Sequence, residues 1–182
     1  MGAGKTTVGA LLAARLQWEF VDSDRVVEAR AGATIAEIFA ARGEAGFRQM
    51  EAEAIRKIAE AEQRVIGLGG GALETPATRA FLESLPDSLI VFLDAPLETL
   101  LARCAGHTEG PVRPVLADRA RVEERWRQRL PWYRHAHLMV DTSALLPEAV
   151  AERILERLDL EVANGEQAGA PGRSAPKPGV PA

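Results

Sequence analysis

Cysteine, histidine, long apolar runs and net positive charge are all scarce in this chain, and each scarcity removes a class of protein. A single cysteine, Cys104, leaves no internal disulfide, and three histidines offer no spacing that resembles a zinc site. Any metal is therefore expected to be a hard ion held by oxygen. No apolar stretch approaches the roughly 20 residues of a bilayer span, and neither a basic leader nor a hydrophobic signal segment opens the chain. The expectation is a cytoplasmic protein with no membrane partner. A formal net charge of −4 gives no general affinity for nucleic acid, so anions must be met by local clusters of arginine. What remains is 182 residues, 47% of them hydrophobic, enough for one domain with a sizeable core.

Apolar and turn-forming residues alternate in blocks. Val8, Leu11, Leu12 and Leu16 recur at helical spacing and predict an amphipathic helix from about Thr6 to Leu16. "EFVDSD" reads as a short strand whose alternation puts Asp22 and Asp24 on the same side of its end. Thr34 and Glu37 have capping-box spacing ahead of a short helix that Gly43 stops, and a longer helix follows from about Ala45 to Glu62. "RVIGLGGGAL" is a strand ending in three glycines, with Thr75 and Pro76 at the cap and first turn of another helix. "SLIVFLDAP" gives a second apolar strand, Pro96 starts a helix to about Cys104, and "HLMVD" gives a last strand before a helix from Pro147 to Leu158. Alternating strands and helices, with strands apolar on both faces, predict an α/β fold: a three-layer parallel sheet with helices on both faces. Residues 1–160 form the predicted domain, and the Gly, Pro, Ala and Ser composition of 161–182 predicts a flexible tail.

"GAGKT" at the start supplies the second half of the phosphate-loop pattern G-x-x-x-x-G-K-[ST]. Its backbone N–H groups cradle phosphate oxygens, its lysine reaches the outer phosphates and its hydroxyl binds magnesium. Those roles fall to Gly2, Gly4, Lys5 and Thr6. A carboxylate at the end of the next strand, near magnesium phosphates, can hold a metal-bound water, and its neighbour can accept a hydrogen bond or proton from a substrate hydroxyl; Asp22 and Asp24 are the candidates. On a helical wheel with Phe47 at zero, Glu51 falls at about 40°, Ile55 at about 80° and Arg48 at about 100°, in or beside the apolar arc. An inward arginine held by a carboxylate three residues on can read an anion, or it can be a partly buried structural ion pair.

Seven arginines lie between Arg113 and Arg134, interleaved with Trp126, Trp132 and Tyr133. Arginines among aromatics can mark a nucleic-acid surface, but here Val122, Trp126 and Tyr133 share a helical face and Arg129 projects within it. Arg121, Arg125 and Arg127 are expected in solvent, partly balanced by Glu123 and Glu124, and Pro131 leaves the helical reading open past about Arg129. "AGHTEGPVRP" has the composition of a mobile loop, a lid around 105–120 from which Arg113 can close over phosphates. The glycines of "GLGGGAL" allow a ligand close to the backbone, or make a tight strand-to-helix turn.

With "GAGKT", "DSD", "FRQME", "GLGGGA", "VRP" and "RLPWYR" in this order, the chain from Gly2 to about Leu158 resembles shikimate kinase. The resemblance implies a P-loop, nucleoside-monophosphate-kinase-like fold and transfer of the γ-phosphate of ATP to the 3-hydroxyl of shikimate, in the route to chorismate and the aromatic amino acids. It implies ATP and Mg2+ as cofactors, shikimate and ATP as small-molecule partners, and a monomer. By motif, Gly2, Ala3, Gly4, Lys5, Thr6 and Thr7 bind the nucleotide, Arg103 flanks adenine, and Arg113 contacts its phosphates. Thr6 and Asp22 hold the metal; Asp24, Arg48, Gly70 and Arg129 contact shikimate. Lys5, Asp24 and Arg113 form the catalytic set.

One departure follows. Members of that family begin with an apolar strand leading to the loop's first glycine, central in the sheet, and here the loop begins at Met1. The expectation is a fold lacking that strand, with two ladders of backbone hydrogen bonds unformed and a slot in the core. Two rival functions stand beside shikimate phosphorylation: a gluconokinase-like small-molecule kinase, disfavoured by "FRQME" and "GLGGGA", and a non-catalytic nucleotide- or partner-binding relative.

Overall fold

The computed structural model describes residues 2–106 and 119–168. Helix α1 (Lys5–Leu16) begins one residue earlier than predicted, with Gly4 as its N-cap in the left-handed region at φ 82. Strand β1 (Glu19–Asp22) ends sooner than expected because Asp22 caps a helix, α2 (Ser23–Ala31). Its carboxylate accepts hydrogen bonds from the N–H groups of Asp24, at 3.0 Å, and Arg25, at 3.3 Å. Asp24 thus stands in the first turn of a helix that periodicity did not reveal, and is not part of the strand. Helix α3 (Ile35–Ala59) opens with the predicted Thr34–Glu37 capping box, breaks at Gly43 (φ 66, ψ −176), and ends short of Glu62.

Strand β2 (Arg64–Gly67) leads through a 3-10 turn at Ala72–Glu74 into helix α4 (Pro76–Glu83), with Thr75 at its N-cap. Strand β3 (Val91–Asp94) and helix α5 (Leu97–Gly106) follow. Helix α6 (Arg119–Tyr133) continues through Pro131, which settles the stretch past Arg129 that the sequence left open. Proline has no N–H to give the carbonyl four residues back, so the ladder lacks one bond in the last turn of this helix. Strand β4 (Leu138–Asp141) precedes helix α7 (Pro147–Ala168), which extends beyond Leu158 into the first residues of the expected tail. Most of the predicted lid, including Arg113, and residues 169–182 lie outside the described residues.

All strand pairing is parallel, but the four strands form two pairs and no single sheet is made among the described residues. In one pair Glu19 to Asp22 run beside Arg64 to Gly67, and in the other Val91 to Asp94 run beside Leu138 to Asp141. No strand of one pair is hydrogen-bonded to a strand of the other. Helix α1 links the pairs: Val8 and Leu12 are buried in a cluster with Leu93, Val140, Val150, Ala151 and Ile154, against which Val65 and Val91 also pack. Each such apolar side chain contributes about 1.5–3 kcal/mol when taken from water. Phe92 points to the opposite face, where its ring centroid lies 5.1 Å from that of Tyr133 in α6. Helices therefore cover both faces, as predicted.

A second cluster, Val27, Ile38, Phe47 and Ala54, locks α2 onto α3, with the rings of Phe39 and Phe47 stacked at 4.6 Å. This cluster matters to the site because Arg48 follows Phe47 directly. The fixed ring beside it leaves the guanidinium little choice of direction.

Candidate active site

The phosphate loop is held by backbone conformation and by close packing on α5. Gly2 has φ 70, and a Cβ there would stand 2.3 Å from the carbonyl oxygen of Leu100, so only glycine fits. Helix α1 begins with no side-chain cap and no acidic residue in its first turn, which leaves its N-terminal N–H groups for an anion. Lys5 is half-buried at that turn, and Thr6 and Thr7 are exposed beside it. Against α1, Gly9 receives the Phe20 ring, and Gly67 of β2 meets the same ring from the other side.

The glycine turn after β2 gathers the charged residues. A Cβ on Gly69 would lie 2.4 Å from Asp24 Oδ1 and 2.6 Å from Glu51 Oε1, so the two carboxylates close on the same point of main chain. The Gly69 N–H donates to the fully buried Ser23 Oγ at 2.9 Å, tying the turn to α2. At Gly70 the corresponding Cβ would be 3.3 Å from Arg129 Nη1, and at Gly71 it would be 2.1 Å from Arg48 Nη2. Tyr133 Oη donates to the Gly70 carbonyl. The glycines thus admit protein side chains to the backbone, where the sequence suggested a ligand or a plain turn.

Arg48 does face inward. Its Nη1 donates to Glu51 Oε2 at 2.7 Å, and its Nη2 to Glu74 Oε2 at 2.9 Å and Glu44 Oε1 at 3.3 Å. Arg129 Nε donates to the other Glu74 oxygen, Oε1, at 2.6 Å. One carboxylate therefore joins two arginines from different helices. Burial works against the charge on Arg48, but Glu51, Glu74 and Glu44 outweigh it and raise its pKa. Burial pushes Glu51 upward despite Arg48, and Asp24 and Glu74 add to that rise. Glu51 is only 2% exposed, and its Oε1 has no hydrogen-bond partner among the described residues. Burial also raises the Tyr133 hydroxyl, against the pull of Arg129.

Arg103 lies on α5 with Nη1 donating to Thr142 Oγ1 at 3.0 Å, at the C-terminal edge of the β3–β4 pair. Arg121 and Arg127 are exposed, as expected, with Arg127 paired to Glu123 at 2.6 Å, whereas Arg125 is partly buried. Asp22 commits Oδ1 to its cap. Among the described residues there is no group of three or more His, Cys, Asp or Glu able to hold a metal. A hard cation at Thr6 and Asp22 would therefore draw its remaining ligands from phosphate oxygens and water. Glu74, Tyr133 and Ser23 were missed as site residues. The only sequence signal for Glu74 was its place just after the glycines.

A family profile described as "SKI: Shikimate kinase" matches residues 1–159. A shikimate kinase of Synechococcus elongatus is 38% identical over 157 residues, covering 86% of this chain and 81% of that protein. Among solved structures, shikimate kinase from Acinetobacter baumannii in complex with shikimate superposes with a TM-score of 0.78 at 35% identity, covering 90% of this chain and 89% of that one. Shikimate kinase from Bacteroides thetaiotaomicron gives a TM-score of 0.79 at 31% identity, covering 87% and 94%.

Proposed function

The chain belongs to the shikimate kinase family, and from that premise we propose that it transfers the γ-phosphate of ATP to the 3-hydroxyl of shikimate. The observation that carries the reading is the pair Arg48 and Arg129, converging on one carboxylate at the glycine turn that Asp24 also reaches. Shikimate is a small hydroxylated carboxylate, so its site needs planar donors at one end and a hydroxyl acceptor at the other. Arg48 and Arg129 take the carboxylate, Gly70 borders the ring, and Asp24 accepts from the hydroxyl that attacks. Gly2, Ala3, Gly4 and Thr7 wrap the phosphates while Lys5 meets the γ-phosphate; Arg103 borders adenine, and Arg113, by its motif, is assigned to the nucleotide phosphates. Thr6, and Asp22 through water, would hold Mg2+, which would neutralise charge on the phosphates. The protein acts as a cytoplasmic monomer supplying the route to chorismate and aromatic amino acids. Its acidic balance, and the lack among the described residues of a helix long and apolar enough to cross a membrane, support partners that are small molecules.

A coupled ADP-release assay tests this. Shikimate-dependent turnover is the expected result, and preference for gluconate or a nucleoside monophosphate would overturn the assignment. One observation favours a second reading, a relative that binds nucleotide or a partner without turnover: β2 and β3 are not joined. Turnover by the 182-residue chain eliminates it.

A further inference from the structure

We propose that Glu74 is an internal stand-in for the substrate's carboxylate, so that shikimate binds by exchange with it; this rests on the assignment of Arg48 and Arg129 to the substrate. The two Glu74 oxygens go to different arginines, Oε2 to Arg48 Nη2 at 2.9 Å and Oε1 to Arg129 Nε at 2.6 Å. That is how a planar carboxylate ligand bridges two guanidinium forks.

Charge makes the arrangement a competition. Arg48 is already met from its buried side by Glu51, whose side chain is 3% exposed, and from outside by Glu44, which is 68% exposed. Two guanidiniums thus face three protein carboxylates, and a further one brought by substrate gains little unless a resident leaves. Glu51 is enclosed, and Glu44 touches only Arg48 of this pair. Glu74 is the resident that occupies both arginines at once, and at 32% exposure its side chain has a path to solvent.

The backbone favours a side-chain swing over a movement of the whole turn. Arg79 Nη1 donates to the carbonyls of both Leu73 and Glu74, the latter at 3.2 Å, and its guanidinium lies 3.7 Å from the Trp132 ring centroid. Gly70 and Gly71 are meanwhile pinned beneath Arg129 and Arg48. Rotation about the Glu74 side chain can release both forks while the turn stays in place. Before substrate arrives, the same contacts keep the arginines ordered and set a carboxylate as the standard any incoming anion must match.

Titration calorimetry of shikimate onto the whole chain, without nucleotide, tests the exchange with Glu74→Gln and, as a second variant, Glu74→Ala. If the free forks make up about a tenth to a fifth of the population in the native chain, either variant should tighten shikimate about five- to tenfold. The carboxamide analogue of shikimate, which lacks the competing charge, should change by much less. Unchanged or weaker shikimate binding in both variants would overturn the proposal by making Glu74 a strut for the arginines. Equal tightening of acid and carboxamide would overturn it too, since only a general loosening of the site would be left. Arg129→Lys separates the premises: no loss of shikimate affinity in that variant sinks the site assignment, whereas a loss there with no gain from Glu74→Gln sinks the stand-in alone.

Discussion

At the phosphate loop Lys5 makes no ion pair among the described residues and Thr6 and Thr7 are exposed, whereas at the glycine turn Arg48 and Arg129 are already held by Glu51 and Glu74. Both ends of the site are suited to anions. The first is made from consecutive residues, with left-handed glycines at 2 and 4 and the N-terminus of one helix, so its selectivity is for charge and close approach. The second is assembled from α2, α3, α6 and the turn after β2, and its donors are oriented by the chain's own carboxylates. The contrast teaches that a loop of main-chain donors can remain open, because N–H groups there are reachable by water. Half-buried guanidiniums cannot remain bare, and the chain must supply carboxylates to hold them.

The largest expected effect lies at the loop. Lys5→Met should lower kcat/KM about 10²–10³-fold, as removal of one transition-state charge partner does. Shikimate affinity measured without nucleotide should hardly move. A comparable fall in that affinity would show that the two ends are not built independently.

Next comes the pre-paired end. Arg129→Lys should raise the shikimate KM about 10–100-fold, because a point charge does not replace an oriented fork, and should leave the ATP KM much less affected. Arg127→Lys, on the exposed face with Glu123, should do little. Equal effects from the two lysines would show that the inward position of Arg129 has no functional weight.

A smaller effect, read in stability, comes from the turn itself. Gly69→Ala would drive a Cβ to within 2.4 Å of Asp24 Oδ1 and 2.6 Å of Glu51 Oε1. Urea unfolding should show a loss of about 1–3 kcal/mol, the usual cost of overpacking. A neutral result would mean that the two carboxylates are not fixed against the turn.

The smallest effect is a slope in pH. Glu51 is held above its ordinary 4.5, chiefly by burial, so the folded chain binds that proton more tightly than the unfolded chain. Its contribution to stability is full below 4.5 and is lost as pH rises through the raised value. Glu37 and Asp141 act oppositely: hydrogen bonds from Thr34 and Ser143 lower them, and what they add is lost as pH falls through their lowered values. Stability curves against pH should therefore flatten above 4.5 in Glu51→Gln. A slope unchanged by that substitution would place the titration elsewhere.

The inward face of α3 was legible because Arg48, Glu51 and Ile55 share one side of a regular helix, and the capping box and Gly43 were legible because each acts over three or four residues. Asp24 was misread as a strand residue. Alternation along "EFVDSD" is real, but Asp22 folds back on the N–H groups of Asp24 and Arg25 and starts a helix too short to show periodicity. The glycines were recognised as needing space without any sign of what fills it. The division of the strands into two pairs was not legible, because no pattern within the four strands themselves shows which of them pair.

Local chemistry, then, was enough for the loop, the caps, the alternating α/β order and the identity of the two arginines, since those depend on dihedral preference and on spacings of one to four residues. Their meeting required the fold. Arg48 reaches Glu74 across 26 positions, and Arg129 reaches it across 55, and only the packing of α3 and α6 around the glycine turn closes those distances. A carboxylate that reads in the chain as one acid among 26 becomes the bridge between two cations because burial leaves each guanidinium in need of a partner and the turn brings the same one to both.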